Sequence, residues 1–140
     1  MKVKIKRFDT SLSLPEKEPR AACFDLICRE DKTLNPREIA IMPVNIAVEV
    51  PDGYALLVFL RSSMPFRKQL MLANGAGVVD PFYNGDSDEL IIELFNFSDT
   101  PVSVAKGEKV AQCMFIKSEP VEWEEVERMD APGIGGYHIS

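Results

Sequence analysis

Apolar residues in this chain come in short runs, each closed off by proline, glycine or aspartate, and no segment holds a helical period over several turns. That pattern admits few architectures. Tyr54 to Leu60 (YALLVFL) and Glu89 to Phe97 (ELIIELFNF) are nearly continuous apolar runs, as expected of strands covered on both faces. Pro51-Asp52-Gly53, Ser98-Asp99-Thr100-Pro101 and Lys106-Gly107-Glu108-Lys109 are turns, because their residues preset φ or tolerate positive φ. Further strands are expected over Lys2 to Phe8, Ala21 to Cys28, Glu38 to Met42, Val44 to Val50, Val102 to Val104, Val110 to Lys117 and Val121 to Val126. Asp9 to Arg20 reads as an extended loop and Glu30 to Pro36 as a turn. The only helix allowed is a turn or two from Ser62 to Lys68. The chain therefore reads as a single all-β domain, a sandwich or barrel, over residues 1–128, with a flexible glycine-containing tail over 129–140.

The chain has 140 residues, enough for one domain around one core. A net charge of −6 argues against a nucleic-acid backbone or an anionic membrane surface as the main partner. No apolar window approaches the ~18 residues of a membrane span, and the N-terminus MKVKIKRFD alternates charged with apolar residues instead of carrying a signal-peptide block. Cys23, Cys28 and Cys113 form no CxxC pair, and His138 is the lone histidine. A disulfide framework or a structural zinc site is not expected, and a reducing cytoplasm is the default.

An acidic protein that takes an anionic ligand must gather its cations locally, and one stretch does so. Arg61-Ser62-Ser63 follows the buried run and precedes Pro65. A guanidinium, two hydroxyls and free N–H groups at a helix start suit an anion; equally, the serines cap the helix and Arg61 pairs a carboxylate. Downstream, Gly75 and Gly77 let backbone approach a flat ligand, and Asn74 offers both a donor and an acceptor. Asp80 follows Val78-Val79, which predicts partial desolvation and fits a general base, and Tyr83 is a stacking ring. The alternative is an ordinary hairpin with a glycine turn. Asp25 is a lone acid in an apolar run and needs a partner. Gln112 reads as a satisfied core amide or a phosphate ligand, and Glu93 as a paired acid or a ligand.

In order, these pieces resemble the trimeric dUTPase family, within the dUTPase and dCTP deaminase superfamily. Ala22-Cys23-Phe24-Asp25-Leu26 is similar to its first motif and Arg61-Ser62-Ser63 to its second. Asn74 through Gly85 is similar to the third, with the spacings from Asn74 to Asp80 and from Asp80 to Tyr83 intact. Gly107-Glu108-Lys109-Val110-Ala111-Gln112 is similar to the fourth. The fifth departs: Gly135-Gly136-Tyr137 keeps two glycines and an aromatic, but Pro132 stands at the arginine position and His138-Ile139-Ser140 replaces the Gly-Ser-Thr-Gly loop.

The resemblance implies a distorted jelly-roll domain, a homotrimer with shared sites, and hydrolysis of dUTP to dUMP and pyrophosphate. It implies that Asp80 activates water and that Asn74, Gly77, Val78 and Val79 read uracil. It puts Tyr83 under the deoxyribose, Arg61, Ser62, Ser63 and Gln112 on phosphates, and Gly136 and Tyr137 in a closing tail. Mg²⁺ would ride on the phosphates, with Asp25 touching it through water. The altered tail predicts weaker triphosphate binding or slower turnover than in the family. Two other readings remain open: a dCTP deaminase or bifunctional deaminase–dUTPase using Glu93, since Ile92-Glu93-Leu94-Phe95-Asn96 resembles that branch, and a non-catalytic nucleotide-binding module.

Overall fold

The structure, a computed structural model, describes residues 1–133. Gly136 and Tyr137 lie outside the described residues. The described residues form eleven strands, β1 (Ile5–Arg7), β2 (Phe24–Ile27), β3 (Lys32–Leu34), β4 (Ile39–Pro43), β5 (Ile46–Val48), β6 (Tyr54–Leu60), β7 (Leu70–Leu72), β8 (Gly77–Val79), β9 (Ile91–Asn96), β10 (Val102–Val104) and β11 (Lys109–Lys117), with one short helix, α1 (Met64–Lys68).

Every ladder is antiparallel. A four-stranded sheet runs β2-β11-β6-β8, a three-stranded sheet runs β4-β9-β7, and β1-β5 and β10-β3 form two-stranded ribbons. Leu26, Leu56, Val58, Val110 and Cys113 of the larger sheet share one buried cluster with Met42, Leu70, Ile92 and Leu94 of the smaller. The core therefore lies between two sheets, the architecture of a distorted jelly roll. Burying a leucine such as Leu94, 0% exposed, contributes about 1.5–3 kcal/mol relative to leaving it in water.

Antiparallel pairing decides how the apolar runs are used. In β6, Leu56 and Val58 are buried whereas Leu57, Phe59 and Leu60 are only half-covered, so this strand has one dry face and not the two that its sequence implies. Pro43 ends β4, an edge strand, where its missing N–H costs no ladder bond. Two more expectations are corrected. Lys32–Leu34, within the expected turn, is a strand, because β10 offers it a partner with Val102 opposite Leu34. Val121 to Val126, expected to be a strand, has no ladder, and Trp123 is 91% exposed. Alternation supplies one face of a strand, but the backbone still needs a neighbour for its hydrogen bonds.

Helix α1 starts at Ser63, whose side chain makes no cap bond, with Pro65 in the first turn where its lack of N–H is harmless. It stops at Gln69, which adopts the left-handed conformation (φ 52°). The helix hangs Arg61, Ser62 and Ser63 at the end of β6.

Candidate active site

The segment Ala73 to Ala76 is not a hairpin turn. β7 pairs with β9 in one sheet while β8 pairs with β6 in the other, so the chain changes sheets between Leu72 and Gly77. Gly75, at φ +75°, takes the conformation this crossing needs. Ala73 N–H donates to the Glu93 carbonyl (2.8 Å), tying the crossing to β9, and Gly75 N–H donates to that of Leu72 (3.1 Å), folding it locally.

The crossing leaves a cavity of about 290 Å³. Asn74, Gly77, Val78, Val79, Asp80 and Tyr83 all line it, as the spacing in sequence implied. Its remaining walls are Val58, Phe82, Leu90, Ile91 and Glu93. Asp80 is exposed, not desolvated: it lies just past the end of β8, on which Val78 is 62% and Val79 partly exposed. The loop is tightly folded: Tyr83 N–H donates to the Asp80 carbonyl (3.1 Å), and its hydroxyl donates to the Glu89 carbonyl (2.9 Å). One cavity thus holds an amide, backbone edges, two carboxylates and two rings, which is the equipment to read a planar base and activate a water beside it.

None of these five further walls was expected in the primary site, and Phe82 and Glu93 are the aromatic and the charged ones among them. Phe82 carried a signal, an aromatic next to Tyr83. Glu93 was visible as a carboxylate on a strand, but its half-exposed face becomes a cavity wall only through the change of sheet.

Arg61, Ser62, Ser63 and Gln112 do not line this cavity; they belong to a second cluster at the end of the larger sheet. Gln112 on β11 sits opposite Asp25 of β2 on one side and Phe59 of β6 on the other. Its amide donates to the Leu60 carbonyl (3.2 Å), which satisfies that part of the side chain internally. Arg61 N–H extends the ladder to the Val110 carbonyl (2.9 Å), and its Nε lies 3.3 Å from Asp25 Oδ1. Lys109 Nζ lies 3.5 Å from Asp25 Oδ2. Asp25 is thus the partnered acid that its apolar surroundings required, and Lys109 is a cation of this cluster that sequence reasoning passed over as a turn residue. Two cations against one carboxylate, with Ser62 and Ser63 following Arg61 in the chain, make a surface suited to an anion.

Among the described residues no group of three or more His, Cys, Asp or Glu side chains could cage a metal ion. A more enclosed cavity of about 210 Å³ is apolar, lined by Val3, Ile5, Phe24, Leu56 and Phe115 among others. Its one titratable lining group is Cys113, whose thiol burial pushes up to about 12, so it offers no chemistry.

With this fold and these two clusters, the chain can be set beside known proteins. The family model described as dUTPase matches residues 10–135. The deoxyuridine 5'-triphosphate nucleotidohydrolase of Thermobifida fusca is 36% identical over 141 residues, covering 98% of this chain and 77% of the relative. That of Dictyoglomus turgidum is 34% identical over 134 residues, covering 92% of this chain and 89% of the relative. The crystal structure of dUTPase from Streptococcus mutans superimposes with a TM-score of 0.77 at 28% identity, covering 85% of this chain and 98% of that one. A Staphylococcus bacteriophage 80alpha dUTPase mutant with dUpNHpp shares the fold, with a TM-score of 0.82 at 22% identity over 95% of this chain and 92% of that one. The chain belongs to the dUTPase family.

Proposed function

We propose that this chain hydrolyses dUTP to dUMP and pyrophosphate, with Asp80 as the base that activates the attacking water. The observation that carries this reading is the shared cavity: Asn74, the Gly77–Val79 edge, Asp80 and Tyr83 line one space. Asn74 and the backbone of Val78 and Val79 hydrogen-bond the uracil edge, Gly77 lets the backbone come close, and Tyr83 packs under the deoxyribose and excludes a 2′-hydroxyl. Asp80 takes a proton from water, which attacks the α-phosphorus in line with the departing pyrophosphate. Arg61, Ser62, Ser63 and Gln112 hold the phosphates; Gly136 and Tyr137, which the family resemblance gives to the substrate, lie outside the described residues.

The cofactor we assign is Mg²⁺ carried by the triphosphate. The donor set fits this: Asp25 has a cation against each oxygen, which suits one water-mediated contact and not a resident ion. Bound Mg²⁺ supplies charge neutralisation at the phosphates.

The assembly we assign is a homotrimer with shared sites. Two observations support it. The phosphate cluster and the base cavity do not share lining residues within one chain, so a second copy can complete each site. The outer face of β4-β9-β7 is also apolar and open, with Ile39 61%, Ile41 54%, Ile91 46% and Met71 44% exposed. No helix among the described residues is long and apolar enough to cross a membrane. We assign the chain to the cytoplasm, where its cysteine pattern points, and give nucleic acid no part in its function.

A second reading has one observation in its favour: Glu93 lines the same cavity, where a carboxylate can serve proton transfer at a cytosine ring. One assay separates the two. Each deoxynucleoside triphosphate with Mg²⁺ is followed for pyrophosphate and for ammonia. Pyrophosphate from dUTP alone is expected; ammonia from dCTP moves the assignment to Glu93 chemistry, and tight dUTP binding without turnover leaves only a binding module.

A further inference from the structure

The loop bearing Tyr83 is tied to the body of the domain by a charged brace outside the cavity. Glu89 accepts two parallel hydrogen bonds from Arg29, Nε to Oε1 at 2.6 Å and Nη2 to Oε2 at 2.9 Å. The same Oε1 also accepts the Asn45 N–H at 2.9 Å. Asn45 is 0% exposed, sits at φ 75°, and locks itself to Asp9 through both ends of its side-chain amide. Arg29 is in turn held by its own backbone N–H to the Pro43 carbonyl (3.0 Å), and Leu90 N–H by Ile46 (2.8 Å). Glu89 is therefore fixed from three directions, and its side chain is only 12% exposed. The Glu89 carbonyl is the acceptor for the Tyr83 hydroxyl. A further tie on the loop, Lys6 to Asp86, runs between well-exposed groups (43% and 93%) and so holds it weakly.

We propose that the Arg29–Glu89 pair is a positioning device for Tyr83: it fixes the Glu89 carbonyl, which fixes the phenol, and so sets how closely the ring stands under the sugar. This rests on the reading of Tyr83 as the group that excludes a ribose 2′-hydroxyl. A bidentate guanidinium–carboxylate pair has a defined geometry, so it holds a carbonyl in place better than a single flexible contact does. The brace thereby acts on sugar discrimination and not on the water-activating acid.

The test compares kcat/KM for dUTP and for UTP in the wild type, Glu89→Gln, Arg29→Lys and Tyr83→Phe. Tyr83→Phe keeps the ring and deletes only the hydroxyl, so it folds whatever becomes of the brace. Each variant is expected to lower the dUTP/UTP ratio by about tenfold, the scale of one lost polar anchor. Most of the change should lie in improved use of UTP, and Glu89→Gln should add little on top of Tyr83→Phe. A merely structural brace would lower thermal stability while leaving the ratio at its wild-type value. That outcome in Glu89→Gln, or an undiminished ratio in Tyr83→Phe, overturns the proposal. If the wild type itself does not prefer dUTP over UTP, it is the assignment of Tyr83 that fails.

Discussion

Arg61 and Asp25 meet across strand β11, with the guanidinium Nε 3.3 Å from the carboxylate. The pair is about a third exposed on both sides, so it is worth under about 1 kcal/mol to the fold. Its consequence is for the proposed phosphate site, where Asp25 aims Arg61 before a ligand arrives. Arg61→Ala is expected to leave the melting temperature nearly unchanged. It should lower kcat/KM for dUTP by about 10- to 100-fold, the range of a lost charge-assisted contact. Thermal melts beside steady-state kinetics check both halves.

The cysteines should react in two classes. Cys28 and Cys113 are buried, and burial pushes both thiols up to about 12, with the nearby Glu108 carboxylate adding to the effect at Cys28. Cys23 is half-exposed. A thiol reagent at neutral pH should label Cys23 quickly and the other two only on unfolding. In the fold these two thiols keep protons that the unfolded chain gives up near the ordinary value of 9.0. Their contribution to stability is therefore present below that value and lost as pH rises through about 12.

Asp9 predicts a response at the other end of the pH scale. The Lys106 ammonium, 2.6 Å away, and the Ser11 hydroxyl and N–H hold its carboxyl well below the usual 3.8. A depressed carboxyl stabilises the fold above the unfolded value, and that contribution is lost as pH falls through the folded one. Asp9→Asn should melt earlier than wild type near neutral pH, and the gap should close in acid. A gap that persists unchanged under acidic conditions would contradict the assignment.

Gly77 and Val58 pair across β8 and β6 and both line the base cavity. A methyl group at Gly77 would sit 3.2 Å from Val58 Cβ, close enough to displace it slightly. Gly77→Ala should cost the fold about 1 kcal/mol or less and raise KM for dUTP. An isothermal titration with a non-hydrolysable dUTP analogue reads the second effect directly.

The parts legible in the sequence were those fixed by local chemistry. Tyr54–Leu60 and Val102–Val104 fall where they were read because turn residues bound them at one or both ends. The spacing of Asn74, Asp80 and Tyr83 likewise foretold residues that one cavity brings together. What depends on partners was hidden. Lys32–Leu34 is a strand only because β10 lies beside it, and Val121 to Val126 is not one because nothing does. The exposure of Asp80 and the inclusion of Glu93 follow from β7 and β8 entering different sheets, a fact of topology that no local pattern states. Lys109 was passed over for the same reason, since only pairing of β11 with β2 sets it against Asp25.

Pyrophosphate release from dUTP by Asp80→Asn shows whether Asp80 is the group that activates the water. The variant keeps the shape and hydrogen-bonding reach of the side chain and removes its ability to take a proton. Turnover with Mg²⁺ should fall by at least about 100-fold while the dissociation constant for a non-hydrolysable dUTP analogue stays close to that of the wild type. Wild-type turnover by the purified variant would remove Asp80 from the mechanism.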